Sequence, residues 1–138
     1  MRCWHKDLIP VLPRQQLLSQ WRECCCIAKN IAVNGTPNHI LVNKIMDYDY
    51  NHFVRYAHLV KNEMHRRGYK CNFEKFMHYI GLADKSYKIS DEDLFKDWHN
   101  DKYLRQCYYN LEEKYYCNGI TYKEWMLIFN KYNELTRN

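Results

Sequence analysis

The sequence predicts an all-α protein of about five helices, because apolar residues recur at i, i+3, i+4 and i+7 through most of its 138 positions. Two further observations agree. No stretch alternates polar and apolar residues for more than a few positions, so nothing reads as a half-buried strand. Gly and Pro number only 4 and 3, and most fall where helices would start or stop. The length suits one domain, and residues 1–138 carry neither a linker nor an internal repeat.

Taken in order, the short apolar segment Asp7–Leu12 is framed by Pro10 and Pro13, and Pro13 suits the first turn of a helix, where a missing N–H costs nothing. From there to Val33, Leu17, Trp21, Cys24, Ala28 and Ile31 form one stripe, and Asn34-Gly35 supplies the stop. The opposite face carries Arg22, Cys26, Lys29 and Asn30, with Ser19 and Glu23 toward its edge. His39–Met46 reads as a short helix or turn. Asp47, Asp49 and Asn51 offer caps for a second long helix through Arg67, striped by Phe53, Tyr56, Val60 and Met64. Arg66, Arg67 and Gly68 end it, with cations at the negative end of the helix dipole.

Asn72–Leu82 is the third helix, with Phe73, Phe76, Met77 and Ile80 expected inward. Ser90-Asp91-Glu92-Asp93 resembles a capped start, opening a helical stretch toward Tyr116 with a break near Asn100. Asn118-Gly119 is a turn. Thr121 and Glu124 then form a capping box for a last helix to about Leu135.

Composition narrows the function. Aromatic residues make up 16%, including 13 Tyr and 4 Trp, which marks a folded chain and not a disordered tail. No apolar run approaches the roughly 20 residues that span a bilayer, and no signal peptide opens the chain, so a cytoplasmic protein is expected. Seven cysteines, an odd count without a C-x-x-C pair, read as thiols and not as a metal site. Neither a metal nor a cofactor is expected.

The net charge of +5 is unevenly spread. Residues 1–70 hold 11 Lys/Arg against 5 Asp/Glu, whereas residues 71–138 hold 10 against 11. A basic half fits a polyanionic partner held by phosphate contacts. Lys29, Lys44, Arg55, Lys61, Arg66 and Arg67 are its phosphate-contacting candidates.

The chemistry-bearing residues lie in that half. Arg2 after Met1 blocks removal of the initiator methionine, so the free α-amine is expected on Met1. An α-amine has a pKa near ~7.7–8.0, leaving an appreciable neutral, nucleophilic fraction at physiological pH. Gln20-Trp21-Arg22-Glu23 follows some twenty positions later and adds a carboxylate and an arginine. A terminal amine, a carboxylate and several arginines suit Schiff-base chemistry on a sugar. Trp4 and His5 stand beside the nucleophile, where they would contact the substrate.

Met1-Arg2 and Gln20-Trp21-Arg22-Glu23-Cys24 resemble the opening and first helix of the pyrimidine-dimer DNA glycosylases of the phage endonuclease V type. Asn38-His39-Ile40, Met64-His65-Arg66-Arg67-Gly68-Tyr69, Leu111-Glu112-Glu113-Lys114 and Thr121-Tyr122-Lys123 extend the resemblance along the chain, and the opening Met1–Pro10 is similar to bacterial and prophage relatives. The resemblance implies an endonuclease V-like helical fold and a monomer. It also implies a mechanism in which the Met1 amine attacks C1′, Glu23 stabilises the sugar cation, and β-elimination nicks the strand. Met1 and Glu23 would be catalytic; Arg2 and Arg22 would hold phosphates flanking the lesion, with His39, Tyr122 and Lys123 also on the DNA. The partner would be double-stranded DNA with a lesion or abasic site, and not a membrane.

The sequence departs from that pattern at Gln15-Gln16, where the family has glutamine-histidine, and at Cys26, which replaces an arginine. Two other classes stay open on the residues alone: a non-catalytic DNA-binding protein of the same fold, and a helical protein-interaction module.

Overall fold

Five α-helices carry the chain in the computed structural model, which describes residues 1–81 and 84–137: α1 (Arg14–Asn34), α2 (Tyr50–Arg66), α3 (Phe73–Ile80), α4 (Asp101–Tyr116) and α5 (Tyr122–Thr136). Short 3-10 segments occupy Lys6–Val11, Asn43–Asp47 and Ser86–Lys88, and the described residues contain no strand. The protein is therefore all-α.

The helix boundaries follow local chemistry. Pro13 caps α1 from outside and does not enter its first turn, and Gly35 closes the helix at φ 76°, a left-handed position that a Cβ would strain. Asp49 caps α2 through the Asn51 amide, and Asn72 and Asn100 cap α3 and α4 through Lys75 and Tyr103. The capping box at Thr121 and Glu124 is present.

α1 packs on α2 and α3, α4 pairs with α5, and the Lys6–Val11 segment is held between α2 and α5. One core runs through all of them. The α2 stripe is fully inside, with Phe53, Tyr56 and Val60 at 0% exposure and Met64 at 2%. Trp21 of α1 meets Phe73 and Phe76 of α3, which lean on Phe53 of α2. Trp125 of α5 stacks on Tyr108 and Tyr115 of α4.

Two expectations are revised, and one reaches beyond the described residues. Met77, expected inward, is exposed, because the short α3 offers α1 only a narrow stripe centred on Phe76. The third helix was expected to reach Leu82, which lies outside the described residues; the helix itself is described to Ile80.

The stretch from Ser90 does not begin a helix; it runs in turns as far as Asn100, and regular structure starts at Asp101. The carbonyls of Asp91, Glu92 and Leu94 converge on the Lys6 ammonium at 2.5, 3.3 and 2.7 Å. Phe95 takes a left-handed φ of 48° to bury its ring against Tyr48, His52, Tyr56 and Trp98. Tertiary bonds have taken the carbonyls that a helix would use.

Candidate active site

The N-terminal segment, residues 2–5, belongs to no helix, and buried side chains satisfy its backbone instead. The Gln20 amide sits at 0% exposure and bonds it twice, accepting from the Trp4 N–H at 2.9 Å and donating to the Arg2 carbonyl at 2.9 Å. The Tyr56 hydroxyl donates to the Trp4 carbonyl (2.5 Å), and the Tyr103 hydroxyl to the Cys3 carbonyl (2.7 Å). Cys3 is fully buried among these groups, and burial pushes its thiol well above the usual range, so it stays protonated and inert. His5, 2% exposed, donates from Nε2 to the His99 carbonyl and accepts the Asp7 N–H on Nδ1.

This clamp delivers residue 1 to the polar edge of α1. The Arg2 N–H donates to Glu23 Oε2 at 3.3 Å. The carboxylate is thereby held one residue from the terminal amine, a span of about 3.8 Å between Cα atoms. Arg2 lays its guanidinium over the Trp4 ring, 5.3 Å from the centroid. Arg22 is exposed and bonds only Ser19 on its own helix, leaving most of its donors toward solvent.

A cavity of about 560 Å³ opens where these groups meet. Met1, Arg2, Trp4, Arg22 and Glu23 line it together, five of the residues expected to act. Gln15, Gln16 and Ser19 of α1, Leu41, and Asn110 and Lys114 of α4 complete the wall. A second depression of about 350 Å³ shares Arg2 and Leu41 with the first and adds Lys44 and Lys102. A third, of about 480 Å³, shares Gln15 and Gln16 and runs past Arg14 to the Asn118–Thr121 turn. The three adjoin through shared lining residues as a trough in which cations outnumber carboxylates.

The other expected residues are placed elsewhere. His5 faces inward with both ring nitrogens committed, so it works on the clamp and not on the cavity. His39 lies next to the trough, its Nδ1 accepting the Leu41 N–H. Lys29 is exposed on α1 two turns beyond Arg22 and lines none of these cavities. Arg66 and Arg67 both grip the buried Glu63, and Arg67 also holds the carbonyls of Pro10 and Leu12. Tyr122 and Lys123 are exposed on the first turn of α5, just past the end of the trough.

Sequence reading missed the wall from α4, Asn110 and Lys114, because helix pairing decides which face of α4 meets α1. It also missed that Gln20 is the clamp. A polar residue three positions after Leu17, on the stripe side of α1, was the available signal. All seven cysteines are free thiols, and no group of three or more His, Cys, Asp or Glu among the described residues is arranged to hold a metal ion.

Fold and site together define a helical protein whose own N-terminus lines a cation-rimmed trough. Residues 1–77 match the model of the family described as pyrimidine dimer DNA glycosylase, more than half of the chain, and the chain belongs to that family. The match takes in the clamp residue Gln20, Arg22, Glu23 and the Ile40-Leu41 turn, and stops before α4. No curated protein and no solved structure matches the chain. Among the described residues no helix is long and apolar enough to cross a membrane.

Proposed function

We propose that this protein excises a damaged base from double-stranded DNA, a pyrimidine dimer by its family, and then nicks the strand at the resulting sugar. The observation that carries this reading is the shared cavity of Met1, Arg2, Arg22 and Glu23, with the N-terminal segment tied to Gln20 behind it.

In the proposed sequence the neutral α-amine of Met1 attacks C1′ of the damaged nucleotide. The glycosidic C1′–N bond breaks, and the base departs with its bonding electrons and takes up a proton. The sugar ring opens to an iminium joined to Met1. The Glu23 carboxylate lies beside the developing positive charge, where a fixed anion in a partly desolvated cavity lowers the barrier. It then accepts the C2′ proton, and elimination expels the 3′ phosphate. Water hydrolyses the imine and frees the amine.

Arg2 and Arg22 bind the phosphates on either side, which positions the sugar as well as neutralising charge. Gln16 occupies the wall where relatives carry a histidine, and it offers a neutral amide to the same sugar-phosphate.

The test is to incubate untagged protein with an abasic-site duplex, reduce with borohydride, and map the adduct by mass spectrometry. A covalent sugar on the Met1 amine, abolished by an N-terminal extension, is the expected result. Salt-sensitive DNA binding without any adduct would reject the catalytic reading in favour of a binding protein.

A further inference from the structure

Ile40 and Leu41 are adjacent apolar residues standing in solvent, 84% and 47% exposed. Scattered surface leucines need no explanation, but this pair occupies a rigid turn at a specific place. The turn cannot fold its tip onto the core. The amides of Val42 and Asn43 both bond the His39 carbonyl, at 3.0 and 2.9 Å. The His39 N–H bonds Asn43 Oδ1, and the Leu41 N–H bonds His39 Nδ1. Val42 and Ile45, at 0% and 1% exposure, root the turn in the core.

The location is equally defined. Leu41 lines the cavity that holds Met1 and Glu23. Ile40 and Leu41 together line the neighbouring depression with Arg2, Lys44 and Lys102. An apolar tip thus projects between cations, at the edge of the reactive amine. That pattern complements duplex DNA, with phosphates outside and apolar base faces within.

A base inside the stack cannot present its C1′ to a terminal amine, and opening the stack costs a few kcal/mol per step unless something apolar takes the vacated space. We propose that Ile40 and Leu41 are a wedge that enters the base stack beside the damaged nucleotide and holds it open for Met1. They are positioning residues, and the inference rests on the glycosylase reading above. Phosphate contacts from Arg2, Lys44 and Lys102 would pin the backbone on which the wedge pushes.

The test uses the full chain and a dimer-containing duplex with 2-aminopurine next to the lesion. In the Glu23→Gln background, binding should raise the fluorescence as the probe unstacks, before any strand is cut. Adding Ile40→Ala and Leu41→Ala should abolish the rise, and Ile40→Met with Leu41→Met should restore it. With Glu23 present, the double alanine variant should cleave the dimer duplex roughly ten- to a hundredfold more slowly. Its deficit should be smaller on an abasic site in single-stranded DNA, which has no base stack to open. Equal melting temperatures would show that both variants fold.

A fluorescence rise or dimer cleavage kept within twofold in the double alanine variant would overturn the wedge. So would the absence of any rise with Ile40 and Leu41 intact. Since the fluorescence needs no turnover, failure of the amine chemistry would show separately, as a missing borohydride adduct.

Discussion

At the scale of single residues, the site depends on charge that is held without being consumed. Glu23 is half-buried, and its recorded bond is to one backbone amide, so its negative charge stays available to a cation in the cavity. Glu23→Gln keeps an acceptor for the Arg2 N–H and removes only that charge. Folding and DNA binding should persist, and turnover should fall by on the order of a hundredfold or more. A single-turnover assay beside a melting curve checks this; full activity in the variant would exclude the carboxylate from catalysis. Arg22 is exposed and bonds only Ser19, so it is free to meet a phosphate. Arg22→Ala should weaken binding and lower the salt slope by about one contact, read from binding isotherms at several salt concentrations. An unchanged slope would take Arg22 off the DNA.

At the scale of elements, the segment of residues 2–5 is fixed by buried side chains and not by a helix or sheet. Gln20→Leu keeps the volume but leaves the Trp4 N–H and the Arg2 carbonyl without their buried partner. Stability should fall by about 1–3 kcal/mol for the orphaned groups. Turnover should drop more than DNA affinity, because the amine is no longer fixed while the cations remain. Urea unfolding and a kcat-against-Kd comparison would show the split; a variant with unaltered kcat would mean the clamp only stabilises. The capping box on α5 gives the contrasting case. Thr121→Ala should cost about 0.5–2 kcal/mol in thermal or urea denaturation and leave activity unchanged.

The turn from Ser90 to Asn100 teaches the same lesson about elements. Its sequence carries a helix-start signal, and Lys6, 85 to 88 positions away from the carbonyls it collects, overrides that signal. Local signals located α1, α2 and α5 to within a residue or two because caps and stripes are short-range. They failed at Ser90 because a long-range bond decided the outcome.

At the scale of the whole molecule, two histidines link the N-terminal segment to the segment before α4. His5 and His99 stack at 5.1 Å, and the Lys6 N–H donates to His99 Nδ1 at 3.0 Å. Burial lowers both imidazoles below the ordinary histidine range; Lys6 adds to the effect at both and His5 adds to it at His99, while Asp7 and the His99 carbonyl oppose it at His5; burial also depresses His52. The unfolded chain takes up these protons near pH ~6.5, while the folded chain resists until lower pH. Stability should therefore be full above about pH 6.5 and decline as the pH falls below it. Urea midpoints from neutral to mildly acidic pH should decrease; a flat profile would mean these rings are not held neutral.

The sequence by itself determined the helical class, the stripes that fill the core, most of the caps, and the placement of Arg22 and Glu23 on the polar side of α1. These rest on neighbours three or four positions apart or on the chemistry of single residues. Only the tertiary structure brought Arg2 to one cavity with Lys114 and to the next with Lys44, because they come from the N-terminal segment, α4 and a 3-10 turn. It also assigned Arg66 and Arg67 to the buried Glu63, and it turned His5 inward. A cation's sequence position does not reveal whether a buried carboxylate waits opposite it, and a trough exists only once the helices have packed.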